Sequence, residues 1–180
     1  MFESDTKDYT VVIDRMILMI DEQPALLIQV VDVIFKWVYL KLDEITSLTF
    51  IMKMYDFLGL LFAFLIDKNY ALTESEAYVI IPMLCEKAGH NNTIIKNKIK
   101  ALIKQCFKLH EHTNCLSLII NFGCFCTKNL KSASESLDEV ASWISKDELN
   151  SIDEKQIKQI TKLVEHSDQG VRKGALQVLD

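Results

Sequence analysis

The chain has 180 residues, 49% of them apolar, and a formal net charge of −5. It contains only five glycines and two prolines, which excludes a disordered chain and a turn-rich all-β fold. The remaining composition, rich in Leu, Ile, Lys, Glu and Ala, predicts an all-α protein that is large enough to bury a core.

Hydrophobic periodicity predicts helices almost from end to end. Pro24 suits the first turn of a helix, because the N–H that proline lacks has no partner within the helix at that position. Pro82 falls inside another predicted helix and is expected to bend it. The predicted helices are residues 8–21, 24–41, 46–67, 73–88, 92–109, 113–124, 131–145, 153–166 and 169–179.

Two of these helices begin with the capping-box pattern, a Ser or Thr followed three residues later by Glu. Thr73 and Glu76 form the pattern in one case, and Ser151 and Glu154 form it in the other. The connections between the helices are short, so the sequence shows no domain boundary. We therefore expect residues 1–180 to form a single domain.

Several features bear on where the protein acts. Met1–Asp5 lacks the basic and apolar regions of a signal peptide. The longest apolar run, Phe57–Ile66, covers ten residues, whereas a membrane-spanning helix needs about 20, so we expect a buried core helix. The five cysteines are odd in number and are expected to be reduced and packed as small apolar side chains. Together these features predict a cytoplasmic protein that binds no membrane.

Charge is distributed unevenly along the chain. Residues 87–131, here called the basic band, contain eight lysines and one acidic residue, Glu111, whereas the rest of the chain holds 12 basic and 24 acidic residues. A basic band on an acidic protein predicts an acidic partner, either a nucleic acid or an acidic protein. The lysines of the band are Lys87, Lys96, Lys98, Lys100, Lys104, Lys108, Lys128 and Lys131.

The sequence repeats one structural pattern: an apolar helix, a short polar elbow and a second apolar helix. Residues 81–96, 118–131 and 160–172 follow it, and the equivalent positions Lys96, Ala133 and Arg172 are 37 and 39 residues apart. That period is typical of paired-helix repeats of the HEAT type. A stack of such pairs presents a row of elbows along one edge, which indicates a binding surface rather than a catalytic site.

Residues 106–126 include residue types that can ligate zinc or act in catalysis. Structural zinc sites usually have two ligand pairs at tighter spacing, so ordinary helix and loop are favoured over a metal site. Cys106 and His110 are an i, i+4 pair without a third catalytic group, and no glycine-rich phosphate loop is present. We expect neither an enzyme nor a cofactor. The candidate metal ligands are His110, His112, Cys115, Cys124 and Cys126.

The order of these segments resembles a TOG domain of the microtubule-polymerase family (the ch-TOG and Mini spindles type), and it is most like the fourth TOG domain of that family. The Leu-Thr-Glu-x-Glu-Ala run with Ile-Pro downstream is the most specific part of the resemblance. The matching runs are Phe35–Trp37, Tyr70–Ala77, Ile81-Pro82, Lys87–Gly89 and His166–Leu176.

The resemblance implies a HEAT-repeat α-solenoid, a flat paddle that binds αβ-tubulin or the microtubule lattice through its intra-repeat loops. It further implies a non-enzymatic role in microtubule polymerisation and spindle organisation, in the cytoplasm and cytoskeleton, at the spindle and the microtubule-organising centre. The domain would act within a multi-TOG array and bind no nucleic acid. Compared with the six repeats of the family, the chain is expected to be truncated at both ends. By position, the loops are residues 2–7, 42–47, 88–96, 126–133 and 165–172.

Residues that match the family's loop positions are the candidate tubulin contacts. Ala133 departs from the family, which usually has a basic residue there, and Phe2 is the only aromatic residue of the first loop, where stronger tubulin binders have tryptophan. The alternative is a generic HEAT-repeat scaffold that binds an acidic protein or nucleic acid through the basic band. The candidate contacts are Phe2, Lys7, Asp43, Thr46, Lys96, Lys100, Lys128, Asn129, Lys131 and Arg172.

Overall fold

The computed structural model describes residues 2–126, 128–144 and 152–180, and of residues 2–7 it describes the backbone alone. Within these ranges the chain is all-helical and contains no strand, as its composition predicts. It divides into two compact units, Met1–Ile80 (unit 1) and Ile81–Asp180 (unit 2). The helices are α1 (Phe2–Glu22), α2 (Pro24–Gln29), α3 (Val31–Glu44), α4 (Leu48–Asp67), α5 (Glu74–Lys87), α6 (Thr93–Leu109), α7 (His112–Leu118), a π-helical segment (Ile119–Cys124), α8 (Leu130–Trp143), α9 (Glu154–Leu163) and α10 (Gln169–Leu179).

Unit 1 is built around α4, which packs against α1 and α3. By length and composition alone α4 qualifies as a candidate membrane span. Most of its large apolar side chains are nevertheless buried against the other helices: Phe62, for example, meets Phe35 of α3 edge to face at 6.0 Å between ring centroids. This burial agrees with the predicted core helix. The buried residues of α4 are Phe50, Met54, Tyr55, Phe57, Leu58, Leu61, Phe62, Phe64 and Leu65.

Two predictions about the first helices are wrong. The single helix expected over 24–41 is divided at Val30, whose N–H donates to the carbonyl of Leu27 at 3.2 Å in a tighter turn. Val30 and Val31 are both β-branched, and consecutive β-branched residues favour helix weakly. The first helix begins at Phe2, so residues 2–7 form its first turns instead of a loop.

The capping box at the start of α5 is confirmed. The backbone N–H of Thr73 donates to Glu76 Oε2 at 2.8 Å, and the N–H of Glu76 donates to Thr73 Oγ1 at 3.3 Å. Glu76 also accepts a 2.8 Å hydrogen bond from the Tyr70 hydroxyl. At α9 the residue that caps the helix is Asp153, which accepts from the N–H of Lys155 at 3.1 Å. Ser151, the predicted cap, lies outside the described residues.

In unit 2, α8 packs against both the π-helical segment and α10. Glycines permit these close approaches: a side chain on Gly123 would collide with Ser136, and one on Gly174 would come within 2.7 Å of Leu137 Cβ. The predicted regular helix at 113–124 changes to π geometry from Ile119. Helix α8 therefore lies at the centre of unit 2 and positions the elbows on either side of it.

Candidate functional site

The three elbows of unit 2 precede α6, α8 and α10, and each ends in a side chain that caps the next helix. Asn92 accepts hydrogen bonds from the N–H groups two and three residues later, at 2.9 and 3.3 Å. Asn129 does the same at 3.1 and 3.3 Å, and Asp168 accepts from the third N–H at 3.0 Å. Such caps fix the point at which each helix begins. We name residues 88–92, 125–129 and 164–168 the third, fourth and fifth elbows.

The third and fifth elbows share a histidine that the sequence analysis left without a role. His90 Nδ1 accepts a hydrogen bond from the backbone N–H of Asn92 at 3.0 Å, and His166 Nδ1 accepts one from Asp168 at the same distance. The repeated pattern His-x-Asn/Asp before a helix was visible in the sequence and predicts this shared turn.

The third elbow lies directly on the start of α8. The backbone N–H of Gly89 donates to Ser132 Oγ at 2.9 Å, and that hydroxyl donates to the carbonyl of Glu86 at 2.7 Å. Ser132 is fully buried, and a Cβ on Gly89 would collide with its backbone N and lie 2.8 Å from Lys131 Cβ. The third elbow and α8 are thus joined through a buried hydroxyl and a glycine with no room for a side chain.

Residues of the third and fifth elbows, together with residues of α6, α8 and α10, line one open cleft of about 430 Å³. Lys96 and Lys131 both contribute to it, and Asp168 and Gly170 close it on the side of the fifth elbow. The row of elbows that the repeat pattern predicts is therefore present in unit 2. The lining residues are Gly89, His90, Asn91, Lys96, Leu130, Lys131, Ser134, Glu135, Asp168 and Gly170.

An acidic residue that the sequence analysis missed, Glu135 of α8, pairs with two of the candidate contacts. Its Oε1 lies 2.9 Å from Lys96 Nζ, and its Oε2 lies 2.6 Å from Lys100 Nζ. Partial burial raises the pKa of the Glu135 carboxyl, but the hydrogen bonds from Lys100 and Lys96 outweigh this effect and hold the pKa below its ordinary value. The positive charge of this part of the basic band is therefore partly neutralised within the chain.

Two further acidic residues, Asp138 and Glu139, follow Glu135 in α8. Burial, together with the charge of Glu135, raises the pKa of Asp138. Burial also raises the pKa of Glu139, which is 5% exposed, although Lys104 and Lys100 counteract the effect. The lysines of α6 at 96, 100 and 104 recur every fourth residue and so share one face, and that face meets the acids of α8. The sequence pattern showed this basic row, but the opposing acids are distant in sequence.

The remaining candidates in unit 2 fall at the edges of the cleft. Lys131 Nζ donates to Asn91 Oδ1 at 2.8 Å. Because Asn91 is neutral, this contact does not offset the positive charge of Lys131. Lys128 is exposed in the fourth elbow, and Asn129 is occupied as the cap of α8. Arg172 donates from Nη1 to the carbonyls of His166 and Ser167 at 2.6 and 2.8 Å. Its guanidinium therefore stabilises the fifth elbow.

The candidates in unit 1 occupy different settings. Asp43 lies in the last turn of α3, and Thr46 lies in the connection between α3 and α4. Close to them, Lys41 Nζ lies 2.6 Å from Glu44 Oε2 and 4.5 Å from the centroid of the Tyr9 ring. Phe2 and Lys7 lie in α1 instead of the predicted loop, and their side chains are outside the described residues. Their predicted role in binding stays a prediction.

Of the five candidate metal ligands, His112, Cys115 and Cys124 lie in helices, whereas His110 and Cys126 lie in connections between helices. Across the part of the chain that the structure describes, no three His, Cys, Asp or Glu side chains cluster as metal ligands. Burial raises the pKa of Cys115 to about 12, and it raises that of Cys124 well above its ordinary value. His112 instead contacts the rings of Phe107 and Trp143, at 4.9 and 5.9 Å between centroids. The thiols therefore act as small apolar side chains.

Comparison with known proteins identifies relatives of this chain. It is 30% identical over 154 residues to protein MOR1 of Oryza sativa subsp. japonica, an alignment that covers 84% of this chain and 8% of that protein. It is 30% identical over 148 residues to centrosomal protein 224 of Dictyostelium discoideum, an alignment that covers 81% of this chain and 7% of that protein. With protein mini spindles of Drosophila melanogaster the identity is 24% over 179 residues, with coverage of 99% and 9%. The chain thus spans less than a tenth of the length of each of these curated relatives.

Solved structures share the fold. One comes from work entitled "TOG-tubulin binding specificity promotes microtubule dynamics and mitotic spindle formation", with a TM-score of 0.88, 23% identity, and coverage of 99% of this chain and 71% of that one. The TOG domain structure of Zyg9 from C. elegans has a TM-score of 0.87 at 18% identity, with coverage of 99% and 66%. No protein-family model matches the sequence. Shared fold and sequence identity together place the chain in the TOG-domain family that contains MOR1 and mini spindles.

Proposed function

We propose that this chain is a non-enzymatic tubulin-binding domain that contributes to the regulation of microtubule polymerisation. The observation that carries the proposal is the cleft of unit 2, where α6 and α8 present Lys96 and Lys131 beside the third and fifth elbows. A relative with the same fold was solved in work on TOG–tubulin binding. The surface of tubulin is acidic, so lysines held at the ends of rigid helices match it in charge.

The arrangement favours moderate affinity that depends on salt. An exposed ion pair contributes roughly 0–1 kcal/mol, so several elbows must act together to hold a partner. Lys128 and Lys131 are exposed, whereas Lys96 shares its charge with Glu135 at 2.9 Å. We therefore expect Lys128 in the fourth elbow and Lys131 in the first turn of α8 to carry most of the electrostatic attraction, and salt to weaken this attraction.

A charge reversal next to the fourth elbow, at Lys131, tests the proposal. Lys131→Glu places a carboxylate in the first turn of α8, where a negative charge suits the helix dipole, so the variant is expected to fold. Purified αβ-tubulin is titrated against wild type and variant at low and moderate salt. We expect Lys131→Glu to weaken binding about tenfold, since it replaces an attraction with a repulsion.

Lys108→Glu is the matched control. Lys108 belongs to the basic band but lies in the last turn of α6, at the end of that helix opposite the third elbow. If Lys108→Glu still binds tubulin and Lys131→Glu binds it more weakly, the result supports the cleft of unit 2 as the binding surface. Equal losses in both variants, or strong binding of RNA without binding of tubulin, overturn it in favour of a scaffold that uses the whole basic band.

We further propose that the chain corresponds to a fourth TOG domain and works in a multi-TOG array at the spindle and the microtubule-organising centre. The runs at Tyr70–Ala77 and Ile81-Pro82 support the assignment as a fourth TOG domain. The names of the relatives and their much greater length support the array at the spindle and the microtubule-organising centre. Linked weak sites bind at high effective concentration, so a tandem fusion of two copies is expected to co-sediment with microtubules at least tenfold more tightly than one copy. Equal binding by the fusion and by one copy contradicts the array.

We also propose that residues 1–180 act as one domain. The expected result is a single cooperative thermal transition for the whole chain, with calorimetric and van't Hoff enthalpies in agreement. Two separate transitions would contradict this proposal.

A further inference from the structure

We propose that Glu135 is an internal ligand of the cleft, a carboxylate that holds Lys96 until an acidic side chain of the partner displaces it. This inference rests on the proposed function, because it assigns a regulatory contact to the same surface. It identifies a residue outside the elbows, in the second turn of α8, as one that sets how tightly the site binds.

The geometry assigns the two carboxylate oxygens to different lysines. Oε1 pairs with Lys96 at 2.9 Å and Oε2 pairs with Lys100 at 2.6 Å. Lys96 and Glu135 both line the cleft, whereas Lys100 does not. A carboxylate that enters the cleft therefore reaches Lys96 first, and Glu135 keeps its shorter bond to Lys100 during the exchange.

The exposure of these side chains is compatible with such an exchange. The Lys96 side chain is 31% exposed and that of Glu135 is 18% exposed, so the ion pair can be approached from solvent. The cleft also contains neutral donors next to the lysines, among them Asn91 and Ser134. An entering carboxylate would thus find both a cation and hydrogen-bond donors, which are the groups that a carboxylate prefers.

The internal carboxylate opposes binding in two ways. It accepts a hydrogen bond from the Lys96 ammonium and so occupies one of that group's donors, and its own charge repels an incoming carboxylate at close range. Asp138, in the next turn of α8, adds to this acidic environment. Because the exchange replaces one ion pair of Lys96 with another, the net gain from this lysine is small as long as Glu135 is charged.

The test compares Glu135→Gln with Glu154→Gln. The first substitution removes the carboxylate but keeps the shape of the side chain. The second removes an equal charge from the first turn of α9, where Glu154 pairs with Lys158 at the exposed surface. Each variant is titrated with αβ-tubulin and, separately, with poly-L-glutamate. We expect Glu135→Gln to bind both probes roughly threefold to tenfold more tightly than wild type, with a steeper dependence on salt, and Glu154→Gln to match wild type.

A second substitution shows whether the gain passes through Lys96. In the Lys96→Gln background, Glu135→Gln should no longer tighten binding, since the cation that it frees is absent. Unchanged or weaker binding by Glu135→Gln, with the fold intact by circular dichroism, overturns the inference and indicates that Glu135 positions the lysines. An equal gain in Glu154→Gln also overturns it, because net charge alone would then explain the effect.

The two probes separate the inference from the proposed function. Tighter binding of poly-L-glutamate by Glu135→Gln, with no binding of tubulin by either form, supports the internal ligand and refutes the tubulin partner. Tubulin binding that is insensitive to Glu135→Gln supports the partner and refutes the internal ligand. Failure of both the wild type and Glu135→Gln to bind either probe refutes both.

Discussion

Replacement of Gly89 by Ala is expected to destabilise unit 2 strongly. The new Cβ would collide with the backbone N of Ser132 and lie 2.8 Å from both Lys131 C and Lys131 Cβ. Since part of the obstacle is backbone at the start of α8, a change of side-chain rotamer cannot relieve it. Overpacking of this kind costs about 1–3 kcal/mol.

The displacement also affects a buried hydrogen bond. The N–H of Gly89 donates to Ser132 Oγ at 2.9 Å, and the loss or stretching of such a bond costs about 0.5–1.5 kcal/mol. Together the two effects amount to about 1.5–4.5 kcal/mol. For a chain of this size each kcal/mol lowers Tm by about 2–4 °C, so the expected fall in Tm is about 3–18 °C, measured by circular dichroism at the helix band.

Gly59→Ala is the matched control, because the same methyl group is added where there is room for it. Gly59 lies within α4, and a Cβ there meets nothing within 4 Å. Alanine favours helix over glycine by about 0.5–1 kcal/mol, so this variant is expected to be more stable than wild type. A Gly89→Ala variant within about 0.5 kcal/mol of wild type would refute the reasoning from close packing.

Other predictions follow from the same contacts. Ser132→Ala removes the hydroxyl between Gly89 and Glu86 and is expected to cost about 1–3 kcal/mol in urea denaturation; a cost near zero would contradict the buried bridge. Glu76→Ala leaves the Thr73 N–H and the Tyr70 hydroxyl unpaired, so we expect a similar loss of unfolding free energy. Glu74→Ala, at an exposed position, should change the unfolding free energy little. The lysines lower the pKa of Glu135 in the folded protein below its ordinary value of 4.5. The charged carboxylate therefore stabilises the fold at pH values above 4.5. This stabilisation is lost as the pH falls through the lowered pKa of the folded protein. The stability difference between wild type and Glu135→Gln should therefore be constant above about pH 5 and shrink at lower pH; a difference that grows on acidification contradicts the assignment. In native protein a thiol reagent should modify Cys126 rapidly, and the buried thiols should react only after unfolding; fast reaction of a buried thiol would contradict the packing. The buried thiols are those of Cys85, Cys106, Cys115 and Cys124.

The sequence predicts the helices and the elbows well because both depend on local patterns. Apolar periodicity located most helices to within a few residues, and the Thr73 and Glu76 pair marked the start of α5 correctly. The break at Val30 was missed because the apolar pattern continues through it, and only a weak local preference against helix marks the position. The π geometry from Ile119 has no signature in the pattern that we used.

The site was predicted less completely, because its electrostatics depend on contacts between distant residues. The repeat pattern selected Lys96 and the family resemblance selected Lys131; both lie in the first turns of helices that follow elbows, and both line one cleft. Glu135, however, is 39 residues from Lys96, and a sum of charges along the chain treats the two as unrelated. Arg172 matched a loop position by sequence, yet its guanidinium is engaged with carbonyls of its own elbow.

The proposed contact with tubulin is tested most directly by hydrogen–deuterium exchange of the amide groups, with and without αβ-tubulin. If the cleft of unit 2 is the binding surface, tubulin should slow exchange in the third, fourth and fifth elbows and in the first turns of α6, α8 and α10. The connection between α6 and α7, at the other end of α6, should exchange at the same rate in both samples. Protection confined to that connection, with unchanged exchange in all three elbows, would contradict the account.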